Sequence, residues 1–161
     1  MSTWAIVVAG GRGERLAEQS GVRKQYLPLA GRRVLEWALE QAARHADGVV
    51  LVVPADVAEA PEPGATAVVA GGATRSASVR AGLAAVPADA SVIVVHDAAR
   101  PVPVPEVWRR VLAAVDAGAD AAVPAVPVTD TLRDVDGGTV DRQRVVAVQT
   151  PQAFRAAALR D

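Results

Sequence analysis

The sequence predicts an α/β protein built on a mainly parallel sheet with helices on both faces. Two observations carry this reading. Short, unbroken apolar runs, the mark of strands buried on both faces, alternate with segments whose apolar residues recur at helical spacing. Strand–helix alternation of this kind is what parallel sheets with crossover helices require. Just over half of the 161 residues are apolar, enough for one domain with one core.

In chain order, Trp4 to Ala9 is a strand ended by glycines, and Arg33 to Arg44 is a helix with Val34, Leu35, Ala38, Leu39 and Ala42 at helical spacing. Gly48 to Val53 is a second buried strand stopped by Pro54, and Val57 to Gly64, with Pro61 and Pro63, is a loop. Thr66 to Ala70 is a short strand ended by Gly71-Gly72. Thr74 can cap a helix to about Ala85, with Val79, Leu83 and Val86 along one face. Ser91 to His96 is strongly β-prone, and Pro105 opens a helix to about Ala117 from a first-turn position. Asp120 to Val126 reads as another buried strand. Asp130 to Val135, the turn Asp136-Gly137-Gly138, and Val140 to Gln149 then read as a protruding hairpin arm. Pro151 is expected to start a last, Ala-rich helix running to the end of the chain.

Charge and composition exclude several classes. Seventeen basic residues face eighteen acidic ones, so no whole-chain field points to nucleic acid or to an anionic membrane. The absence of cysteine excludes disulfides, thiolate nucleophiles and cysteine zinc sites. No apolar stretch approaches the roughly 18 residues of a membrane span, and no basic segment followed by an apolar run opens the chain. The expectation is a soluble cytoplasmic protein. Sixteen of the basic residues are arginine, and Lys24 is the only lysine. The bland reading is a genome bias that favours Arg, Ala, Gly and Val codons. A retained ammonium offers a compact point charge that reaches a phosphate where a planar guanidinium does not fit.

In parallel sheets, ligands sit at the carboxyl ends of strands, and three loops lie there. The first, Ala9-Gly10-Gly11-Arg12-Gly13-Glu14-Arg15, lets backbone N–H groups approach an anion, with Arg12, Arg15 and Lys24 adding positive charge. It is equally a tight strand-to-helix turn with solvated arginines. It lacks the acidic residue at the end of the second strand that a dinucleotide fingerprint needs, and the Gly-Lys-Ser/Thr of a P-loop. The second loop, Gly71-Gly72-Ala73-Thr74-Arg75-Ser76-Ala77-Ser78, puts glycines before a helix N-terminus, either as a donor array for a ligand or as ordinary capping by Thr74. The third, His96-Asp97-Ala98-Ala99-Arg100-Pro101, places Asp97 where an acid holds Mg²⁺ against phosphates, or where it makes a structural pair with Arg100. His96 reads as a packed, hydrogen-bonded residue rather than an acid or base. No Ser/His/Asp set, metal-spaced His cluster or carboxylate pair is evident, which suits phosphate chemistry driven by alignment and charge neutralisation.

Taken together, these motifs resemble the methylerythritol phosphate cytidylyltransferases of non-mevalonate isoprenoid synthesis. The resemblance runs in order through Ala9-Gly10-Gly11-Arg12-Gly13-Glu14-Arg15-Leu16, Lys24-Gln25-Tyr26-Leu27, Gly71-Gly72 with Arg75 and Ser78-Val79, His96 to Pro101, Val128-Thr129-Asp130-Thr131, Asp141-Arg142, and Gln149-Thr150-Pro151-Gln152-Ala153-Phe154. It implies a Rossmann-like nucleotidyltransferase domain over 1–161, with an arm over 128–149 that dimerises about a twofold axis. The implied reaction joins CTP to 2-C-methyl-D-erythritol 4-phosphate and releases pyrophosphate. Arg15 and Lys24 would hold the triphosphate and stabilise the transition state. The backbone of Ala9, Gly10 and Gly11, within the loop that includes Gly13, would read cytosine and ribose together with Gly72 and Ser78. Asp97 would stand at the junction of Mg²⁺, or another divalent cation, and substrate, with Ala98 and Arg100 nearby. Thr131 and Arg142 would contact methylerythritol phosphate bound to the partner subunit, and Thr150 would face the same pocket. Many members carry an acidic residue where this chain has Ala73.

The family also continues beyond the Thr-Pro-Gln-x-Phe segment, with a late strand that carries a second active-site lysine. The chain ends at Asp161, so the expectation is a C-terminally incomplete domain, a fragment of a longer protein rather than a decayed gene product. Two other functions fit the same residues: a cytidylyltransferase for another polyol phosphate such as ribitol 5-phosphate, or an inactive nucleotide-binding dimerisation module.

Overall fold

The computed structural model describes residues 1–10, 22–101 and 104–161. Its centre is a six-stranded sheet of β1 (Thr3–Val8), β4 (Gly48–Val53), β5 (Ala67–Ala70), β6 (Val92–Asp97), β7 (Ala121–Ala122) and β12 (Gln152–Arg155). The spatial order is β5-β4-β1-β6-β12-β7. β5, β4, β1 and β6 pair in parallel, whereas β12 runs antiparallel to both β6 and β7. A hairpin of β2 (Pro28–Leu29) and β3 (Arg32–Arg33) precedes the first helix.

The period of two along the strands decides which helix covers which face. Ala5 and Val7 of β1, Val49, Leu51 and Val53 of β4, and Val92 and Val94 of β6 share one cluster. The covering helices there are α1 (Val34–Ala43), through Leu35, Ala38, Leu39 and Ala42, and α3 (Pro105–Asp116), through Trp108, Val111 and Val115. The alternate residues Ile6, Val50, Val52 and Ile93 face the other way, under Leu83 of α2 (Arg75–Ala84) and Ala156 of the short α4 (Ala156–Arg160). Gly82 lets α2 lie against the sheet: a Cβ there would come within 2.5 Å of Ile6 Cγ2. Burying both faces of these strands supplies the main driving force, at roughly 25 cal/mol per Å² of apolar surface.

The arm is a ribbon. β8 (Ala125–Pro127) pairs with β11 (Val146–Val148) at its base, and β9 (Leu132–Arg133) with β10 (Thr139–Val140) at its tip. Gly137 and Gly138 turn the tip with φ of 112° and 86°, angles that a side chain would disfavour.

Two expectations are corrected. Asp120–Val126 is not one buried strand. Only Ala121–Ala122 joins the sheet, and Ala125–Pro127 departs to pair within the arm, leaving Val123 and Val126 exposed. Pro124 and Pro127 lack the N–H that a central strand would donate, so the segment is confined to an edge. Pro151 likewise does not start a helix. Gln152–Arg155 forms β12, inserted between β6 and β7, and helix begins only at Ala156. Alanine-rich composition favoured a helix, but main-chain pairing to the buried β6 outweighs the small propensity difference.

Candidate active site

The strand order reverses at β1. From there the chain builds outward to β4 and β5, then crosses back to place β6 on the other side of β1. Crevices at such switch points are where open α/β sheets bind ligands. The crevice here is lined by Ala9 and Gly10 after β1, Arg23 to Gln25, Pro54 to Asp56 after β4, Gly71 to Arg75 and Ser78 after β5, and Asp97 to Arg100 after β6. Backbone hydrogen bonds fix its floor: Ala9 N donates to Val52 O at 2.7 Å, Gly71 N to Val53 O at 2.7 Å, and Ala98 N to Val8 O at 3.0 Å.

At the β5 end, Gly72 N donates to Ser78 Oγ at 3.2 Å, so the buried serine laces the loop to the first turn of α2. Thr74 caps that helix, accepting from Ala77 N at 3.1 Å. A Cβ on Gly72 would fall 2.4 Å from Ala77 Cβ, so the close turn depends on glycine. The loop thus sets the positive end of a helix at the crevice.

Lys24 opens a single 3-10 turn, Lys24–Tyr26, and is exposed on the crevice wall. The next residue anchors it. Gln25 is 1% exposed and donates from Nε2 to Ala9 O at 2.8 Å, tying this turn to the end of β1. Arg23 pairs with Asp56 at 2.9 Å, linking the same turn to the segment after β4. Burial is the main reason that the Tyr26 hydroxyl titrates above its ordinary range.

Asp97 ends β6. Its Oδ1 accepts from Arg75 Nε and Nη2 at 3.2 and 3.1 Å, and its Oδ2 lies 3.5 Å from Arg100 Nε. Arg100 also donates to Gln149 Oε1, and the Asp97–Arg100 turn is closed by Arg100 N donating to Asp97 O at 3.0 Å. His96, one residue back, points to the opposite face. It is fully buried beside Trp108, with its Nδ1 3.0 Å from Thr150 Oγ1 and its Nε2 3.0 Å from Arg100 O. Burial depresses its pKa to about 4, against smaller opposing effects of the Arg100 carbonyl and the Asp97 charge. It is therefore the packed, hydrogen-bonded histidine the sequence suggested.

The sequence-predicted residues Ala9, Gly10, Lys24, Gly72, Ser78, Asp97, Ala98 and Arg100 line one crevice. Thr150 is buried behind it, and its hydroxyl also accepts from Asp97 N at 3.3 Å. Thr131 and Arg142 lie on the exposed arm, where Arg142 donates to Thr129 O at 2.7 Å. Gly11, Gly13 and Arg15, with Arg12, lie outside the described residues. Reading the sequence left Gln25, Arg75 and the Arg23–Asp56 pair without roles. Gln25 and Arg75 stood inside quoted motifs, but their partners, 16 and 22 residues away, could not be read from local pattern.

Among the described residues no three acidic or imidazole side chains converge as a metal cage. Asp97 and Asp56 are the carboxylates among the described lining residues. That donor set fits a cation held largely by phosphate oxygens and water, with one carboxylate, and does not fit an all-protein site.

Glycine-rich strand ends, a capped helix N-terminus, an exposed ammonium and two carboxylates at a switch point give this α/β protein a crevice whose groups suit a phosphorylated ligand. Comparison narrows the class. The model of the family IspD, 2-C-methyl-D-erythritol 4-phosphate cytidylyltransferase, matches residues 3–161, and the chain belongs to that family. A 2-C-methyl-D-erythritol 4-phosphate cytidylyltransferase of Nocardia farcinica is 44% identical over 171 residues, covering 99% of this chain and 73% of its own length. A bifunctional IspD/IspF enzyme of Solidesulfovibrio magneticus is 42% identical over 179 residues, which cover 99% of this chain but only 45% of that enzyme. The crystal structure of the Thermus thermophilus cytidylyltransferase superposes with a TM-score of 0.77 at 37% identity, covering 98% of this chain and 72% of that one. Among the described residues no helix is long and apolar enough to cross a membrane.

Proposed function

We propose that this protein transfers CMP from CTP to 2-C-methyl-D-erythritol 4-phosphate and releases pyrophosphate. The observation that carries this reading is the meeting of Gly10, Gly72 and Ser78 with Lys24 and Asp97 in one crevice of a chain of this family. The acceptor needs no general base, because a phosphate monoester with a second pKa of about 6 is mostly dianionic at neutral pH. One of its oxygens forms a bond to the α-phosphorus of CTP while the bridge to the β-phosphate breaks. Pyrophosphate takes the electron pair of that bridge.

The protein's task is then alignment and charge neutralisation. Backbone groups of Ala9, Gly10 and Gly72, with Gly11 and Gly13 of the same loop, are proposed to read the pyrimidine and ribose beside Ser78 and Ala98. Lys24 and Arg15 hold the triphosphate and the charge that builds on the leaving group. Asp97 would hold a divalent cation, Mg²⁺ by preference, which neutralises phosphate charge when bound. That carboxylate also carries two guanidiniums, those of Arg75 and Arg100. Its engagement by a cation would leave both to face phosphate oxygens. Arg100 is assigned to the acceptor phosphate. Thr131 and Arg142, on the arm, are proposed to meet the acceptor bound by the partner in a twofold homodimer, and Thr150 to border the same pocket.

Differential scanning fluorimetry tests the nucleotide preference. CTP with Mg²⁺ should raise the melting temperature more than ATP with Mg²⁺, and Asp97→Asn should remove most of the Mg²⁺-dependent part. Equal shifts by CTP and ATP would reject pyrimidine selection.

A further inference from the structure

The groups behind the crevice form a hydrogen-bond relay whose direction can be worked out atom by atom. A carbonyl oxygen only accepts, so the bond between His96 Nε2 and Arg100 O, 3.0 Å long, requires a proton on Nε2. Thr150 Oγ1 accepts from the backbone N–H of Asp97 at 3.3 Å, which leaves its own hydrogen to donate. His96 Nδ1, 3.0 Å away, is the acceptor. Both side chains are shut away from solvent, His96 fully and Thr150 to 6% exposure. One imidazole therefore joins the Arg100 carbonyl and the Thr150 hydroxyl, and through that hydroxyl it reaches the Asp97 amide.

We propose that His96 is the positioning residue of the Asp97–Arg100 turn, and that Thr150 serves it by committing its hydroxyl proton inward instead of to a substrate phosphate. The inference rests on the cytidylyltransferase reading. The strand register explains why the device works. Successive residues of β6 point to opposite faces, so His96 is gripped by the core beside Trp108 while Asp97 looks into the crevice towards Arg75. Asp97 and Arg100 bracket the turn. Pinning the amide of one and the carbonyl of the other fixes where the carboxylate and guanidinium stand. Thr150 also ties this turn to the segment before β12, where Gln149 N donates to Pro124 O at 2.8 Å and Gln149 Oε1 receives Arg100. A phosphate dianion only accepts hydrogen bonds, so Thr150 in this arrangement has no proton to offer it.

The test is steady-state pyrophosphate release with CTP and methylerythritol phosphate for Thr150→Val, Thr150→Ser, His96→Phe and the His96→Phe/Thr150→Val double variant. Rates are normalised to folded protein. Thr150→Val, which keeps the shape, should lower kcat at least tenfold with KM for CTP changed less than threefold. Thr150→Ser should restore kcat to within threefold of the parent, and the double variant should be no worse than the poorer single one. Nitrogen-15 NMR of the imidazole should report protonated Nε2 and bare Nδ1 in the parent, with the Nδ1 resonance shifting in Thr150→Val. Parent-like kcat in Thr150→Val, additive losses in the double variant, or a proton on Nδ1 would each overturn the proposal. An inactive parent protein whose NMR shows the expected tautomer would instead overturn the cytidylyltransferase reading.

Discussion

Acidification towards pH 5 should destabilise this protein through His96. The imidazole is buried, and its pKa falls from 6.5 to about 4 in the fold. Because the folded value is depressed, the unfolded chain takes up a proton first. The stabilisation is whole above about pH 6.5 and is lost as pH drops towards 4. Each unit is worth about 1.4 kcal/mol, so the full window is worth about 3 kcal/mol and the part between pH 7.5 and 5 about 2 kcal/mol. That is a large share of the roughly 5–15 kcal/mol that holds a typical domain together. His45, which stacks on Trp108 at 5.2 Å, is also depressed, chiefly by burial, and acts in the same direction. Glu36, Glu40 and Asp56, held below their usual range by hydrogen bonds from arginines, weaken the fold only at lower pH. Urea titrations at pH 7.5, 6.5, 5.5 and 5 should show the midpoint falling steadily, and His96→Phe should flatten most of that slope. A loss under about 0.5 kcal/mol between pH 7.5 and 5 would refute the reasoning.

Three substitutions test other parts of the account. Gly82→Ala places a Cβ 2.5 Å from Ile6 Cγ2 and 2.9 Å from Val52 Cγ2. The overpacking cost of about 1–3 kcal/mol should exceed the helix-propensity gain of about 1 kcal/mol, and a higher urea midpoint would contradict it. Thr74→Ala removes the acceptor for Ala77 N and should cost about 1 kcal/mol in chemical denaturation; an unchanged midpoint would show the cap contributes nothing. Lys24→Arg keeps the charge but not its compact placement, and should lower kcat at least tenfold. Near-parental turnover would mean that the lone lysine is an accident of composition.

The parallel core was legible because β1, β4 and β6 are continuous apolar runs, and no other element accommodates such residues at that length. The three strand-end loops followed from them. β12 was not legible: Gln152-Ala153-Phe154-Arg155 has no strong intrinsic preference, and its strand form comes from pairing with Ile93 to Val95, about 60 residues earlier in the chain. The split at Ala122 was written in Pro124 and Pro127, whose missing N–H groups the apolar pattern concealed. In the crevice, residue types announced Lys24, Gly72 and Asp97, whereas Gln25, Arg75 and Thr150 gain their meaning from contacts 16, 22 and 53 residues distant. Such partners are set by the strand order, which local pattern does not encode.

The most direct measurement follows the products of one reaction mixture: the protein, CTP, Mg²⁺ and 2-C-methyl-D-erythritol 4-phosphate, observed by phosphorus-31 NMR. The account predicts pyrophosphate and a new pair of coupled diphosphate-ester resonances growing in equal amounts, and far slower turnover when ribitol 5-phosphate or ATP is substituted. No diphosphate ester with methylerythritol phosphate, or faster turnover with ribitol 5-phosphate, would contradict it.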